Sequence, residues 1–255
     1  MSLFHQCIGE FLGTMVLILL GNGVVAGVNL KKTFANGAGW IVITLAWGFA
    51  VFVGVLISGN ISGGQLNPAV TIGLAVAGKF AWSFVPWFIL AQVIGALVGQ
   101  LLVVAMYYPH YKVSDDVGAK LATCCTMPAI YSLFSNLASE IIGAFVLMFA
   151  VLMMHGVIIN GNGTLTTTFV VNMGVFGAIP VALVVMVIGM SLGGTTGYAI
   201  NPARDLGPRI FHALFPIPGK GSSGWGYAWI PVIGPIIGAS IAALVYILLF
   251  HMGMC

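Results

Sequence analysis

The sequence predicts an all-α membrane protein of six full transmembrane helices and two re-entrant half-helices in inverted repeats, and three observations predict it. The first is composition: of 255 residues, 60% are hydrophobic and only 5% charged, far from the balance of a soluble domain. The second is a set of six apolar stretches of about 20 residues or more, each long enough to cross a ~30 Å hydrocarbon core. The third is a tripeptide that occurs twice, Asn67-Pro68-Ala69 and Asn201-Pro202-Ala203.

Full spans are expected over 6–28, 38–58, 82–108, 137–158, 169–190 and 226–250. The N-terminus lacks the basic region and small-residue cleavage site of a removable signal, so its apolar stretch reads as the first span. Between the second and third spans a Gly-rich turn leads to Asn67 as N-cap and Pro68 at the first helical position, which is a helix start. From Pro68 to about Gly78 is roughly 11 residues, or ~16 Å, half of a hydrocarbon core. Asn201 opens a second half-helix between the fifth and sixth spans. Entering from opposite faces, the two would bring both Asn side chains and two positive dipole ends to one point near the midplane. Such a point suits a pore constriction or a binding site.

The order of elements repeats. Glu10-Phe-Leu-Gly13 opening the first span matches Glu140-Ile-Ile-Gly143 opening the fourth, and Ala91-Gln-Val-Ile-Gly-Ala96 is echoed by Gly234-Pro-Ile-Ile-Gly-Ala239. Three spans per half is an odd number, so the second copy enters the membrane upside down. The chain is thus expected to be one channel domain, 1–255, with inverted halves of about 1–108 and 137–255 joined by an extramembrane loop, 109–136. Gly9/Gly13, Gly95/Gly99 and Gly234/Gly238 have the small-xxx-small spacing that lets helix backbones approach closely in lipid.

Ionisable groups inside apolar spans are costly and need partners. Glu10 and Glu140 are such groups, and their symmetry suggests one job done twice. Each is expected to accept hydrogen bonds from the backbone of its half's re-entrant loop, since irregular backbone at membrane depth must be satisfied inside the protein. The alternative is a proton relay. Arg204, one turn into the second half-helix, has Val70 as its counterpart in the first, so symmetry is broken there. Asp205 has either Arg204 or Arg209 as a partner. His155, His212 and His251 fall near element ends and none has a partner at catalytic spacing. Cys7, Cys124, Cys125 and Cys255 lack CxxC spacing and read as free thiols. No metal, cofactor or nucleic-acid footprint is expected: the net charge is +3 and the eight basic residues are scattered. Lys31, Lys32, Lys112, Lys120, Arg209 and Lys220 lie on or near the face opposite the termini, which by the positive-inside count alone would place the termini outside.

Two Asn-Pro-Ala boxes in inverted halves, the second continuing as Arg204-Asp205, resemble the aquaporin family, and the Asp after Arg resembles its glycerol-facilitator branch. Arg209 and the pair Pro231-Val232 extend the match, which covers nearly all the chain. The resemblance implies a homotetramer in the plasma membrane with cytoplasmic termini and one pore per protomer. It implies a passive channel, not an enzyme, for glycerol and small polyols, with water and, by extension, urea or undissociated hydroxy acids, excluding ions and protons.

It also implies a selectivity filter of Trp47, Gly189, Tyr198 and Arg204. Arg204 would offer fixed N–H donors to hydroxyl oxygens, Trp47 and Tyr198 would present apolar ring faces to a CH backbone, and Gly189 would leave the space open. Gly63, Gly64 and Gln65, with Gly197, Tyr198 and Ala199, are candidates to line the path with backbone carbonyls. Two departures from the family pattern are Gln65, where many members have His, and Tyr198, where well-known glycerol channels have Phe. The competing reading is a secondary transporter, which also uses broken helices in inverted repeats but needs an ion or proton site.

Overall fold

The computed structural model describes residues 1–154, 157–160, 168–171 and 177–252, so His155 and Cys255 lie outside the described residues. The elements are α1 (Leu3–Asn29), α2 (Trp40–Ser62), α3 (Pro68–Val76), α4 (Val85–Val113), α5 (Val117–Ala122), α6 (Leu133–Met153), β1 (Val157–Asn160), β2 (Thr168–Val171), α7 (Ala178–Ser191), α8 (Pro202–Leu214) and α9 (Ile230–His251). Among the described residues, α1, α2, α4, α6 and α9 are long and apolar enough to cross a membrane. The half-helices are α3, nine residues and about 14 Å, and α8, thirteen residues and about 20 Å.

The fifth expected span needs correction. Helix α7 has 14 residues, about 21 Å, and starts at Ala178 rather than 169. Residues 168–171 form instead the second strand of an antiparallel pair, Val157 opposite Val171 and Asn160 opposite Thr168. The physical reason is in the side chains. Val157–Asn160 and Thr168–Val171 are rich in the β-branched residues Val, Ile and Thr, which suit strands better than a helix. A hydropathy window reads such apolar β-branched residues as a span because it ignores that preference. The fourth span likewise ends at Met153 rather than 158, whereas α4 runs past Pro109 to Val113. The short α5 inside the connector was not expected.

Packing repeats with the sequence. A Cβ on Gly95 or Gly99 of α4 would lie 2.4 Å from the carbonyl oxygen of Phe11 or Met15 in α1. In the second half a Cβ on Gly238 of α9 would lie 2.1 Å from the Ile141 oxygen of α6. Backbone meets backbone in both pairs, so any larger residue there would force the helices apart. The main core cluster surrounds the half-helices and includes Leu17, Trp47, Leu66, Val70, Leu147 and Ile200.

The connector is tied into the bundle by polar contacts. The Asn22 amide of α1 donates to Gln100 Oε1 (2.6 Å) and to the Cys124 carbonyl (3.0 Å). Burial pushes the Cys124 thiol up to about 12, so it stays protonated at neutral pH. Much of the positive charge opposite the termini is bound locally. Lys31 pairs with Asp115 at 2.6 Å, and its hydrogen bond and charge hold that carboxyl below the usual range. Lys120 donates to the Pro218 carbonyl, and Lys220 to carbonyls of His212, Ala213 and Phe215 at the end of α8.

Candidate functional site

The tips of α3 and α8 meet as expected, and each Asn does two jobs. Asn67 Oδ1 caps its own helix by accepting from Ala69 N, while its Nδ2 donates across to the Ile200 carbonyl at 2.8 Å. Asn201 Oδ1 accepts from Ala203 N and Arg204 N, while its Nδ2 donates to the Leu66 carbonyl at 2.9 Å. Pro68 and Pro202, at the first helical positions, carry no N–H to be satisfied, and Ala69 and Ala203 are small enough to bury completely. Each amide still has one N–H uncommitted among the described residues.

The residue before each Asn sits in left-handed backbone, Leu66 at φ 54° and Ile200 at φ 42°, a strained conformation for a bulky side chain and most of all for the β-branched Ile200. The two carboxyl groups hold that strain. Glu10 accepts from Gln65 N (3.0 Å), Leu66 N (2.7 Å), Ser62 Oγ (2.6 Å) and Gln92 Nε2 (2.7 Å). Glu140 accepts from Ala199 N (3.0 Å), Ile200 N (2.8 Å) and Thr196 Oγ1 (2.7 Å). Both are wholly buried and line none of the cavities described below. The scaffold expectation matches this geometry; a relay along the path does not. Ser62 and Thr196 escaped the sequence reading, although they stand the same distance before their Asn residues and an alignment of the halves would have paired them.

Three cavities run in series past the tips. One of about 430 Å³, at the end of α1 away from the N-terminus and called outer for that reason alone, is lined by Trp40, Trp47, Cys125, Gly197, Tyr198 and Arg204 among others. A middle one of about 40 Å³ shares Trp47, Tyr198 and Arg204 with it and adds Ala199, Asn67 and Asn201. An inner one of about 150 Å³ shares both Asn residues with the middle one and adds Gly63, Gly64 and Gln65. The shared walls make one path, with its smallest cavity between the Arg204 level and the Asn pair.

At the narrow level the Arg204 guanidinium lies 4.3 Å over the Trp47 ring, and its buried Nη1 has no hydrogen-bond partner among the described residues. It is free because Asp205 is taken by the other arginine. Arg209 Nε and Nη2 meet Asp205 at 2.7 and 3.0 Å, and Asp205 Oδ2 also accepts from Thr126 N and Oγ1. The remaining Arg209 donors go to the carbonyls of Thr126, Ser223 and Gly224, so this ion pair stitches α8 to both outer loops. His212 falls near the end of α8, as expected, and is buried there against Ser223.

Gly189 was expected to leave open space at the filter, but the Tyr198 ring occupies the space its missing side chain leaves: a Cβ there would be 2.7 Å from Tyr198 Cζ and 2.9 Å from its oxygen, and Gly189 is not among the residues lining the three cavities. The Tyr198 hydroxyl is turned to that wall, buried and without a partner among the described residues. Trp40, which sequence reasoning missed, fixes the arrangement. Its Nε1 donates to the Gly189 carbonyl at 3.0 Å and its ring meets Tyr198 edge-on with centroids 5.7 Å apart. No local signal marks Trp40, since the contact spans 149 positions of sequence.

A family model, Major intrinsic protein, matches residues 1–246. The "Glycerol uptake facilitator protein" of Streptococcus pneumoniae (strain ATCC BAA-255 / R6) is 52% identical over 96% of this chain and 99% of its own length. The "Probable glycerol uptake facilitator protein" of Thermotoga maritima is 52% identical over 95% of this chain and 98% of its own. Among solved structures, the aquaglyceroporin of Plasmodium falciparum superposes with a TM-score of 0.79 at 31% identity, covering 96% of both chains. Likeness of this extent in sequence and in backbone, in a chain whose two Asn-capped half-helices meet inside a helical bundle, establishes that the protein belongs to the major intrinsic protein family.

Proposed function

We propose that the protein is a passive membrane channel for glycerol and other small neutral solutes, and for water, that excludes ions and protons. The observation that carries this reading is the narrow level, where Arg204, whose Nη1 has no hydrogen-bond partner among the described residues, lines a passage together with Trp47 and Tyr198. Donors on one side and apolar faces on the other suit a polyol, whose hydroxyl oxygens accept while its carbons lie against the rings. Glycerol as the solute is further supported by the facilitators named above.

Passage through this geometry is stepwise. A solute enters the outer cavity, exchanges water for Arg204 donors, and then meets the free N–H of each Asn amide at the half-helix tips. Those tips and Arg204 place positive potential at the narrowest part, which repels cations and orients water oxygens so that a proton wire is interrupted. We read Trp47, Tyr198 and Arg204 as the selectivity filter, with Gly189 acting through Tyr198. We read the chain as one channel domain of inverted halves, about 1–108 and 137–255, assembled as a homotetramer in the plasma membrane with cytoplasmic termini. Urea and undissociated hydroxy acids fit the same passage. A coupled transporter is disfavoured because Glu10 and Glu140 are buried away from the path.

Stopped-flow shrinkage of proteoliposomes tests the proposal. Glycerol and water should both pass with low activation energy and no dependence on a proton or sodium gradient. Flux that requires such a gradient, or no glycerol flux above protein-free liposomes, would overturn it.

A further inference from the structure

The inner cavity carries a feature that the filter leaves unused. Its walls are largely aliphatic, including Leu17, Val51, Val151 and Val185, and its polar side chains are Gln65 and the two Asn residues. Both Asn amides are largely spent on capping and on each other's loops. Gln65 is not. Its backbone N–H is held by Glu10 at 3.0 Å, which fixes where the side chain begins, yet its buried Oε1 has no partner among the described residues. A buried acceptor beside a cavity, with no partner in the protein, calls for a ligand or water that donates to it.

The repeat sharpens the point. At the position of Gln65 the second half has Ala199, and at the position of Arg204 the first half has Val70. Each half has therefore acquired one polar side chain that its counterpart lacks, and the two lie on opposite sides of the Asn pair. Arg204 can only donate, whereas a carboxamide both accepts and donates.

We propose that the Gln65 side-chain amide is a second solute station, on the inner side of the Asn pair, for neutral solutes that carry hydroxyl or amide groups. It accepts from a solute hydroxyl at Oε1 and donates from Nε2 to a second oxygen. A polyol leaving the Asn pair would otherwise have aliphatic walls and the backbone carbonyls of the Gly63–Gly64 side, which accept from its hydroxyls but donate nothing to its oxygens. A water molecule suffers less, because neighbouring waters in the file donate to it. The station thus favours polyol over water, and it rests on the channel reading above.

The test measures glycerol and water permeability of the full-length protein in proteoliposomes for the wild type, Gln65→Met and Gln65→His. Gln65→Met keeps the length and the backbone bond to Glu10 but removes the amide, and should lower the glycerol-to-water ratio about three- to tenfold, the size of one lost hydrogen bond. Gln65→His should retain much of the ratio at about pH 8 and lose it towards about pH 5, because the protonated ring no longer accepts. An unchanged ratio in Gln65→Met overturns the proposal. If that variant does not fold, an unchanged ratio in Gln65→Ala, which also keeps the backbone bond to Glu10, overturns it equally. A wild type that passes water but no glycerol refutes the channel reading instead, which separates the two failures.

Discussion

Tyr198 and Gly189 act as one device rather than two residues. The glycine creates a hollow in the wall of α7, the tyrosine ring fills it, and the passage is what remains. Gly189→Ala should drive the ring into the narrow level and cut glycerol flux about tenfold or more relative to water, as one misplaced methyl does in a fitted pocket. Tyr198→Phe removes a hydroxyl that faces the wall without a partner, so the glycerol-to-water ratio should change less than about twofold and stability should hold or rise slightly. Stopped-flow measurements on both variants check this, and a reversed order of severity would place the hydroxyl in the lumen. At Glu10 and Glu140 substitution by Gln is not neutral. Whichever way the amide turns, its NH₂ meets one backbone N–H, Gln65 or Leu66 in the first half and Ala199 or Ile200 in the second. Each variant should lose about 1–3 kcal/mol of stability by thermal unfolding, with no altered pH dependence of flux in the folded fraction.

At the scale of elements, the half-helices exist because Asn-Pro starts them and too little apolar chain follows to finish a span. Their placement depends on partners that no local rule supplies. The buried Asp205–Arg209 pair ties α8 to the loops around Thr126 and Ser223 and leaves Arg204 to face the path. Asp205→Ala would strand the Arg209 charge inside the protein and should cost about 3–5 kcal/mol, read as a lowered unfolding midpoint in detergent. Arg209→Met in the same background should recover part of that loss, since it removes the stranded charge. The paired strands β1 and β2 show the opposite case, in which local preference defeats an element assigned from hydropathy alone.

For the whole molecule, ion exclusion belongs to the assembled field rather than to any one side chain. Two half-helix tips converge from opposite sides and Arg204 adds a charge beside them, so the barrier is cumulative. Arg204→Val would give the second half the residue that the first half already has. Proton or cation leak should rise clearly in pH-sensitive dye assays on liposomes, while water still passes and the tips retain part of the barrier. A wild type that leaks protons as fast as it passes water would remove this account.

Composition, span length and the two Asn-Pro-Ala boxes determined the fold class, because a bilayer allows few ways to satisfy a buried backbone and a paired half-helix is one of them. Symmetry between the halves likewise made Glu10 and Glu140 legible as supports for the re-entrant loops. What the sequence did not contain was which of two neighbouring arginines Asp205 would take, that Tyr198 would occupy the space of Gly189, and that Trp40 would hold both. These were decided by contacts between residues far apart in the chain, where several partners are chemically equivalent and only their relative positions after packing select one.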